Sequence, residues 1–309
     1  MKMRQIPFQP YWTVFFLLAL NLTLTPLKAA EHEEMLIVTS FYPIYIATVN
    51  VAGGIPDVAV KNLTKPFTGC LHDYQMTPAE MVELSRAAVF IVNGGGMESF
   101  LDKVVKQLPK LKILEASAGI EFIKNNADGE PNAHVWVSPT LAQKQVATIA
   151  AKLAELDPGN AAAYQRNAAA YSTKLEALRT KMHEALQSLP VRQIITFHEA
   201  FPYFAREFDL EIVAVIEREP GSEPSARELA ATIETVRKTK VKALFAEPQY
   251  PAKCADTIAR ETGATVYTLD PGVSGPLTPN AYLTIMEKNL LELCRALKPP
   301  KAEIPAKTR

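Results

Sequence analysis

The segment from Pro158 to Leu189 constrains this chain more than any other. Apolar positions recur at Tyr164, Ala168, Tyr171, Leu175, Leu178, Met182, Ala185 and Leu189, an alternation of four and three that lays one apolar stripe along a helix. Asp157 stands where an N-cap is expected, Pro158 suits a first helical turn, and Pro190 ends the run. At ~1.5 Å per residue such a helix reaches roughly 45 Å, about two small domains side by side. Heptad spacing also suits a coiled coil. The flanks, however, read as two similar α/β halves and not as continuing heptads, so the segment predicts a spine joining two lobes.

A length of 309 residues suits two domains with sizeable cores. Basic and acidic residues balance at 33 each, and the body of the chain has no basic run, which argues against a nucleic-acid partner. The N-terminus reads as a secretory signal peptide over residues 1–30. Lys2 and Arg4 precede an apolar run from Trp12 to Leu24, and the small pair Ala29-Ala30 precedes Glu31. The run is short for a transmembrane helix, an uncleaved anchor being the alternative. No cysteine lies near the cleavage region, so a lipid anchor is not expected. Removing Lys2, Arg4 and Lys28 takes the net charge from zero to −3.

Export permits disulfides. Cys254 and Cys294 both fall in helical segments of the second half and are expected to pair, closing about forty residues and contributing roughly 4 kcal/mol in the chain-entropy model. Two buried thiols are the alternative. Cys70 is left single.

Strands and helices alternate on both sides of the spine. Before it, strands are expected at Leu36 to Thr39, Val58 to Leu63, Val89 to Val92 and Lys112 to Leu114. Helices follow Thr77-Pro78, a capping box with Glu80, then run from about Glu98 to Gln107 and from Ser138-Pro139 to Leu156. After it, strands are expected at Gln193 to Thr196, Glu211 to Ile216, Ala243 to Ala246 and Thr265 to Leu269. Helices follow at Phe201 to Phe208, after the Ser225/Glu228 box, at Ala252 to Thr262 and from Thr278-Pro279 through Cys294. This alternation implies parallel sheets covered by helices. The domains read as a signal peptide (1–30), an N-terminal α/β lobe (31–157), the linking helix (158–189), a C-terminal α/β lobe (190–298) and a Lys- and Pro-rich tail (299–309) without fixed structure.

Open α/β sheets bind ligands beyond the carboxyl ends of their strands. Of five histidines, His32 and His183 read as solvated, whereas His72, His134 and His198 each follow a strand, as does Asp270. Two come from each lobe. Three imidazoles and a carboxylate suit a tetrahedral Zn²⁺ site, although single histidines in loops are as readily satisfied without metal. No HExxH or CxxC spacing is present, and His198-Glu199 lacks the second histidine of a zinc-protease helix.

Several segments in order carry a resemblance: Ser40-Phe41-Tyr42-Pro43, His72-Asp73-Tyr74 with Thr77-Pro78, Asn93-Gly94 with Glu98, His134-Val135-Trp136 with Pro139, Phe197-His198 with Ala200-Phe201, Glu223-Pro224-Ser225, Glu247-Pro248 and Leu269-Asp270. From about Leu36 to Leu297 the chain resembles the zinc/manganese solute-binding proteins of ABC importers. The resemblance implies two Rossmann-like α/β lobes joined by a rigid helix, metal in the cleft between them, and a periplasmic, monomeric, non-enzymatic protein that delivers metal to a membrane permease. Carried over residue by residue, it implies the ligands His72, His134, His198 and Asp270, with Glu223 and Glu247 as reserve ligands whose alternative is to orient the imidazoles or cap helices. Manganese-preferring members often place a carboxylate where this chain has His198, so Zn²⁺ is the expected cargo, with Mn²⁺ or Fe²⁺ as alternatives.

Two departures stand out. The loop from Lys124 to Asn132 is short and holds no histidine, so no secondary collecting site is expected. Cys70-Leu71-His72 has no counterpart in the family pattern, and Cys70 reads as a packed or loosely exposed thiol, with approach to a soft metal as the alternative. Asp73, Glu199 and backbone carbonyls are expected to orient the imidazoles, and Tyr42, Trp136, Phe197 and Tyr203 to wall the site. A secreted zinc hydrolase with Glu199 or Glu247 as base is the competing class. Binding of an iron chelate or haem, or adhesion, is a third.

Overall fold

Short β-branched runs between polar breaks become buried parallel strands, because a sheet covered on both faces needs no polar alternation. The computed structural model describes residues 34–125, 129–216, 225–248 and 253–298. The expected signal peptide, Glu223 and the tail from Pro299 lie outside them. Strands β1 (Met35–Thr39), β2 (Val58–Asn62), β3 (Val89–Val92) and β4 (Lys112–Glu115) form one sheet in the order β2-β1-β3-β4. Strands β5 (Gln193–Thr196), β6 (Glu211–Val215), β7 (Ala243–Ala246) and β8 (Thr265–Thr268) form a second in the order β6-β5-β7-β8. Every pairing is parallel.

Helix α1 (Tyr42–Ala52) directly follows β1, starting with Pro43 in its first turn. The sequence leaves this stretch unassigned, since burial on several sides erases an amphipathic stripe. Helix α2 (Pro78–Leu84) opens at the expected capping box, in which Thr77 Oγ1 accepts the Glu80 N–H at 3.3 Å and the Thr77 N–H donates to Glu80 at 2.7 Å. Helix α3 (Leu101–Gln107) starts later than Glu98, because that carboxylate is turned inward to bind backbone. Helix α4 (Pro139–Leu156) begins at Ser138, whose hydroxyl accepts the Leu141 N–H.

The spine is shorter than the stripe suggests. Pro158–Asn160 is a 3₁₀ turn and α5 spans Ala161–Gln187, 27 residues or about 40 Å at 1.5 Å per residue. Asp157 does not cap its backbone; the carboxylate accepts from Asn160 Nδ2 at 2.8 Å and from the Tyr164 hydroxyl at 2.9 Å. The buried stripe runs through Tyr164, Ala168, Tyr171, Leu175, Leu178 and Met182 to Leu186 in place of Ala185. A straight helix drifts by about 20° per heptad, which moves the stripe on by one residue at the third heptad.

The remaining helices are α6 (Pro202–Glu207), α7 (Ala226–Thr239), α8 (Lys253–Thr262) and α9 (Ala281–Ala296), and α7 carries the expected Ser225/Glu228 capping box. Helix α5 packs against α1 and α4 on one side and α9 on the other. The main core is therefore continuous between the halves: Ile37, Phe90 and Val146 belong to the same buried cluster as Phe204, Phe245 and Met286.

Cys254 and Cys294 are not joined, which corrects the expected disulfide. Cys254 on α8 packs in a separate cluster with Val236, Leu244 and Ile258, whereas Cys294 on α9 packs against the continuous core. The helices face different layers, so no common axis brings their sulfurs together.

Hydrogen bonds also strap the halves. The Tyr42 hydroxyl donates to the Pro276 carbonyl at 2.9 Å, Asn50 Nδ2 to that of Pro279 at 2.8 Å, Trp136 Nε1 to that of Pro271 at 2.8 Å, and the Tyr282 hydroxyl to that of Trp136 at 2.9 Å. Gly275 fits this seam for two reasons: its φ is +145°, and a Cβ would lie 2.7 Å from the Tyr42 hydroxyl oxygen.

Candidate metal centre

Three strand-end segments bring the strand-following histidines together. His72 sits in the loop between β2 and α2, His134 just before the 3₁₀ turn Val135–Val137, and His198 two residues past β5. Ring centroids are 5.2 Å apart for His72 and His134, 4.7 Å for His134 and His198, and 6.4 Å for His72 and His198. The Nε2 atoms of His72 and His134 are 3.4 Å apart. A tetrahedral ion with ~2.0–2.1 Å bonds to nitrogen sets its donors ~3.3–3.4 Å apart.

Two of the rings are oriented from behind. His134 Nδ1 lies 3.1 Å from Asn132 Oδ1, and Asn132 Nδ2 donates to the Glu199 carbonyl at 2.8 Å. His198 Nδ1 lies 3.1 Å from Glu247 Oε1, with Glu247 directly following β7. An acceptor at Nδ1 requires the proton there, which leaves the Nε2 lone pair for a metal. His198 Nε2 is buried and has no hydrogen-bond partner among the described residues. A buried polar atom in that state calls for a ligand to satisfy it. Sequence reasoning put Glu247 in reserve but missed Asn132, whose signal was its position two residues before His134. Glu199 contributes its carbonyl, and Asp73 is exposed.

Behind His134 runs a buried polar chain. Glu98 Oε1 accepts from the Ser40 hydroxyl and from the Asn93 N–H, both at 2.7 Å, and Oε2 accepts the Gly94 N–H at 3.1 Å. Asn93 Nδ2 donates to the Ala133 carbonyl at 2.9 Å, and Gln145 Nε2 bridges Asn93 Oδ1 and Ser117 Oγ. The segment carrying His134 is thus fixed to the end of β3. Trp136 closes one wall, 5.2 Å from the His134 ring and edge-on to Phe41 at 5.1 Å.

Burial, with the neighbouring His198 adding to it and Asp73 opposing, holds His72 down at about 4. Burial first, then His198 and His72, holds His134 well below the ordinary imidazole range. Both rings are neutral, as metal ligands must be, at physiological pH. Between the lowered values and the unfolded value near 6.5 the unfolded chain binds more protons, so stability there rises with pH. From these two rings, metal-free protein is expected to lose stability as pH falls below about 6.5, through the His72 value of about 4 and on below it for His134, and to level off above about 6.5. Urea denaturation in chelator at stepped pH measures this, and a flat profile would refute the desolvation of the rings.

Asp270, expected as the fourth ligand, is not among the four residues grouped most tightly, though it lies near enough to feel the charge of Glu247. The residues whose donor atoms all lie within 4.8 Å of one another are Cys70, His72, His134 and His198. Asp270 Oδ1 accepts the Gly272 N–H at 2.8 Å, while its own N–H and carbonyl are clamped by Asn289 at 2.9 and 2.7 Å. Burial raises its carboxyl, the Gly272 N–H opposes this, and the nearby charge of Glu247 adds to it.

Two parallel sheets, one connecting helix and imidazoles meeting at strand ends define the class: a two-lobed metal-binding protein of the solute-binding type. The chain belongs to the family described as zinc-uptake complex component A, periplasmic, which matches residues 37–296. It is similar to the high-affinity zinc uptake system protein ZnuA of Bacillus subtilis, 30% identical over 280 residues that cover 84% of this chain and 87% of that protein. Among solved structures it superposes on the SBP FpvC of Pseudomonas aeruginosa in complex with Mn²⁺, with TM-score 0.79, 31% identity and coverage of 85% and 98%. It also superposes on a zinc-bound ZnuA deletion mutant, with TM-score 0.75, 32% identity and coverage of 86% and 99%.

Proposed function

We propose that this chain captures Zn²⁺ in the periplasm, after export by a cleaved signal peptide, and delivers it to the membrane permease of an ABC importer, as a monomeric binding protein and not as an enzyme. His72, His134 and His198 hold the cargo. The observation that carries this reading is the buried, unpartnered Nε2 of His198 beside two neutral imidazoles. Glu247, one of the two candidate bases for a hydrolase, is 3% exposed and engaged behind His198, which supports capture over turnover. Chelator-stripped protein titrated calorimetrically should take up one Zn²⁺ and hold it against excess Mn²⁺. Absence of uptake, or metal-dependent cleavage of ester or phosphate substrates, would overturn the reading. Tighter Mn²⁺ binding would reassign the cargo, in line with the Mn²⁺ complex of FpvC.

The continuous core and straps support a second expectation. Solution scattering should show no large compaction on adding Zn²⁺, because rotation of one half against the other would tear packed apolar surface along α5. A marked fall in radius of gyration would show that the spine bends.

A further inference from the structure

Cys70 is the residue that the family pattern does not explain, and it faces the centre. Its Sγ lies 3.7 Å from His134 Nε2, inside the same 4.8 Å group as the three imidazoles. A tetrahedral ion with a ~2.3 Å bond to sulfur and ~2.0–2.1 Å bonds to nitrogen separates those donors by ~3.5–3.6 Å. Cys70 and His72 flank Leu71, which is fully buried. The Leu71 N–H meets Met97 Sδ at 3.5 Å, and its carbonyl accepts from Ser99 Oγ at 3.3 Å and from the Tyr74 N–H at 3.2 Å. The short span bearing two donors is thus pinned at its centre.

We propose that Cys70 is the fourth ligand, its thiolate completing a three-histidine, one-cysteine tetrahedron that makes this pocket select a thiophilic ion, Zn²⁺, over Mn²⁺. The proposal rests on the metal-capture reading above. On binding, the metal–sulfur bond forms and the thiol proton leaves to solvent. Thiolate suits Zn²⁺, whereas Mn²⁺ favours carboxylate, carbonyl and water oxygens. Asp270 Oδ1 holds the Gly272 N–H, and the proposal gives the fourth position to Cys70 in its place.

Co²⁺ alone, added to chelator-stripped protein, tests this. Wild type should show the visible bands of tetrahedral Co²⁺ together with an intense near-ultraviolet thiolate-to-metal band. Cys70→Ser should keep the visible bands and lose the near-ultraviolet one, and Asp270→Asn should keep both. Zinc affinity of Cys70→Ser should fall at least about tenfold, since even groups behind the ligands are worth 10–100-fold, and the preference for Zn²⁺ over Mn²⁺ should narrow. Zn²⁺ should also shield Cys70 from iodoacetamide in site-resolved peptide mapping, leaving Cys254 and Cys294 as reactive as before. Visible bands in wild type without the near-ultraviolet band, or unaltered Cys70 alkylation in zinc-loaded protein, would overturn the fourth-ligand assignment while leaving capture intact. Failure of wild type to bind either metal would overturn both.

Discussion

Replacing His198 with alanine is expected to weaken Zn²⁺ binding by about two to three orders of magnitude. Small closed zinc sites carry an apparent ~10–16 kcal/mol. Shared among four ligands, that is roughly 2.5–4 kcal/mol each, and ~1.4 kcal/mol is tenfold in affinity. His198 is a sharp probe because its Nε2 is buried without a hydrogen-bond partner among the described residues. The variant relieves that cost and should remain folded by near-ultraviolet circular dichroism. Glu247→Gln separates orientation from ligation: it keeps an acceptor near Nδ1 but removes the charge, and should cost about 10–100-fold. Competition against a calibrated chelator measures both. Wild-type affinity in His198→Ala would remove this residue from the centre.

Glu98→Ala is expected to destabilise the metal-free protein by roughly 3–5 kcal/mol. The carboxylate is 5% exposed and accepts three hydrogen bonds, from Ser40, Asn93 and Gly94, and each buried donor left unsatisfied costs about 1–3 kcal/mol. Burial raises the Glu98 carboxyl, while those same donors pull it back down. Glu98→Gln should cost less, because an amide oxygen at the Oε1 position retains the Ser40 and Asn93 bonds and only the Gly94 contact is lost. Urea denaturation of both variants checks the order, and equal losses would show that shape and not hydrogen bonding is at stake. Because Asn93 also holds the Ala133 carbonyl, Glu98→Ala should further reduce Zn²⁺ affinity through the segment that presents His134.

The strands were legible because buried parallel strands concentrate apolar residues into short runs without alternation. Val89–Val92, Gln193–Thr196 and Ala243–Ala246 have the bounds expected from sequence. The imidazoles were legible for a topological reason, since any residue just past a parallel strand lies at the ligand-binding edge. Asn132 was not, and Cys70 entered only as an alternative, because the placement of both depends on how two loops fold back, which no periodicity records. The disulfide was misread for a related reason: helix assignments say that Cys254 and Cys294 lie on helices, not which layer each helix faces. Asp270's place past β8 was foreseeable, whereas the Gly272 N–H that Oδ1 accepts was not.

The continuous core along α5 also bears on how cargo leaves. A binding protein that waits in an open form loses affinity in proportion to the rarity of its closed form, and a permease can empty it by prying it apart. Here the halves share one buried interior and are laced across the rim, so little affinity is forfeited to waiting. On the proposed role, and with the frame as rigid as the scattering experiment is expected to find it, unloading becomes a question of escape rate set by the strand-end loops that carry the histidines.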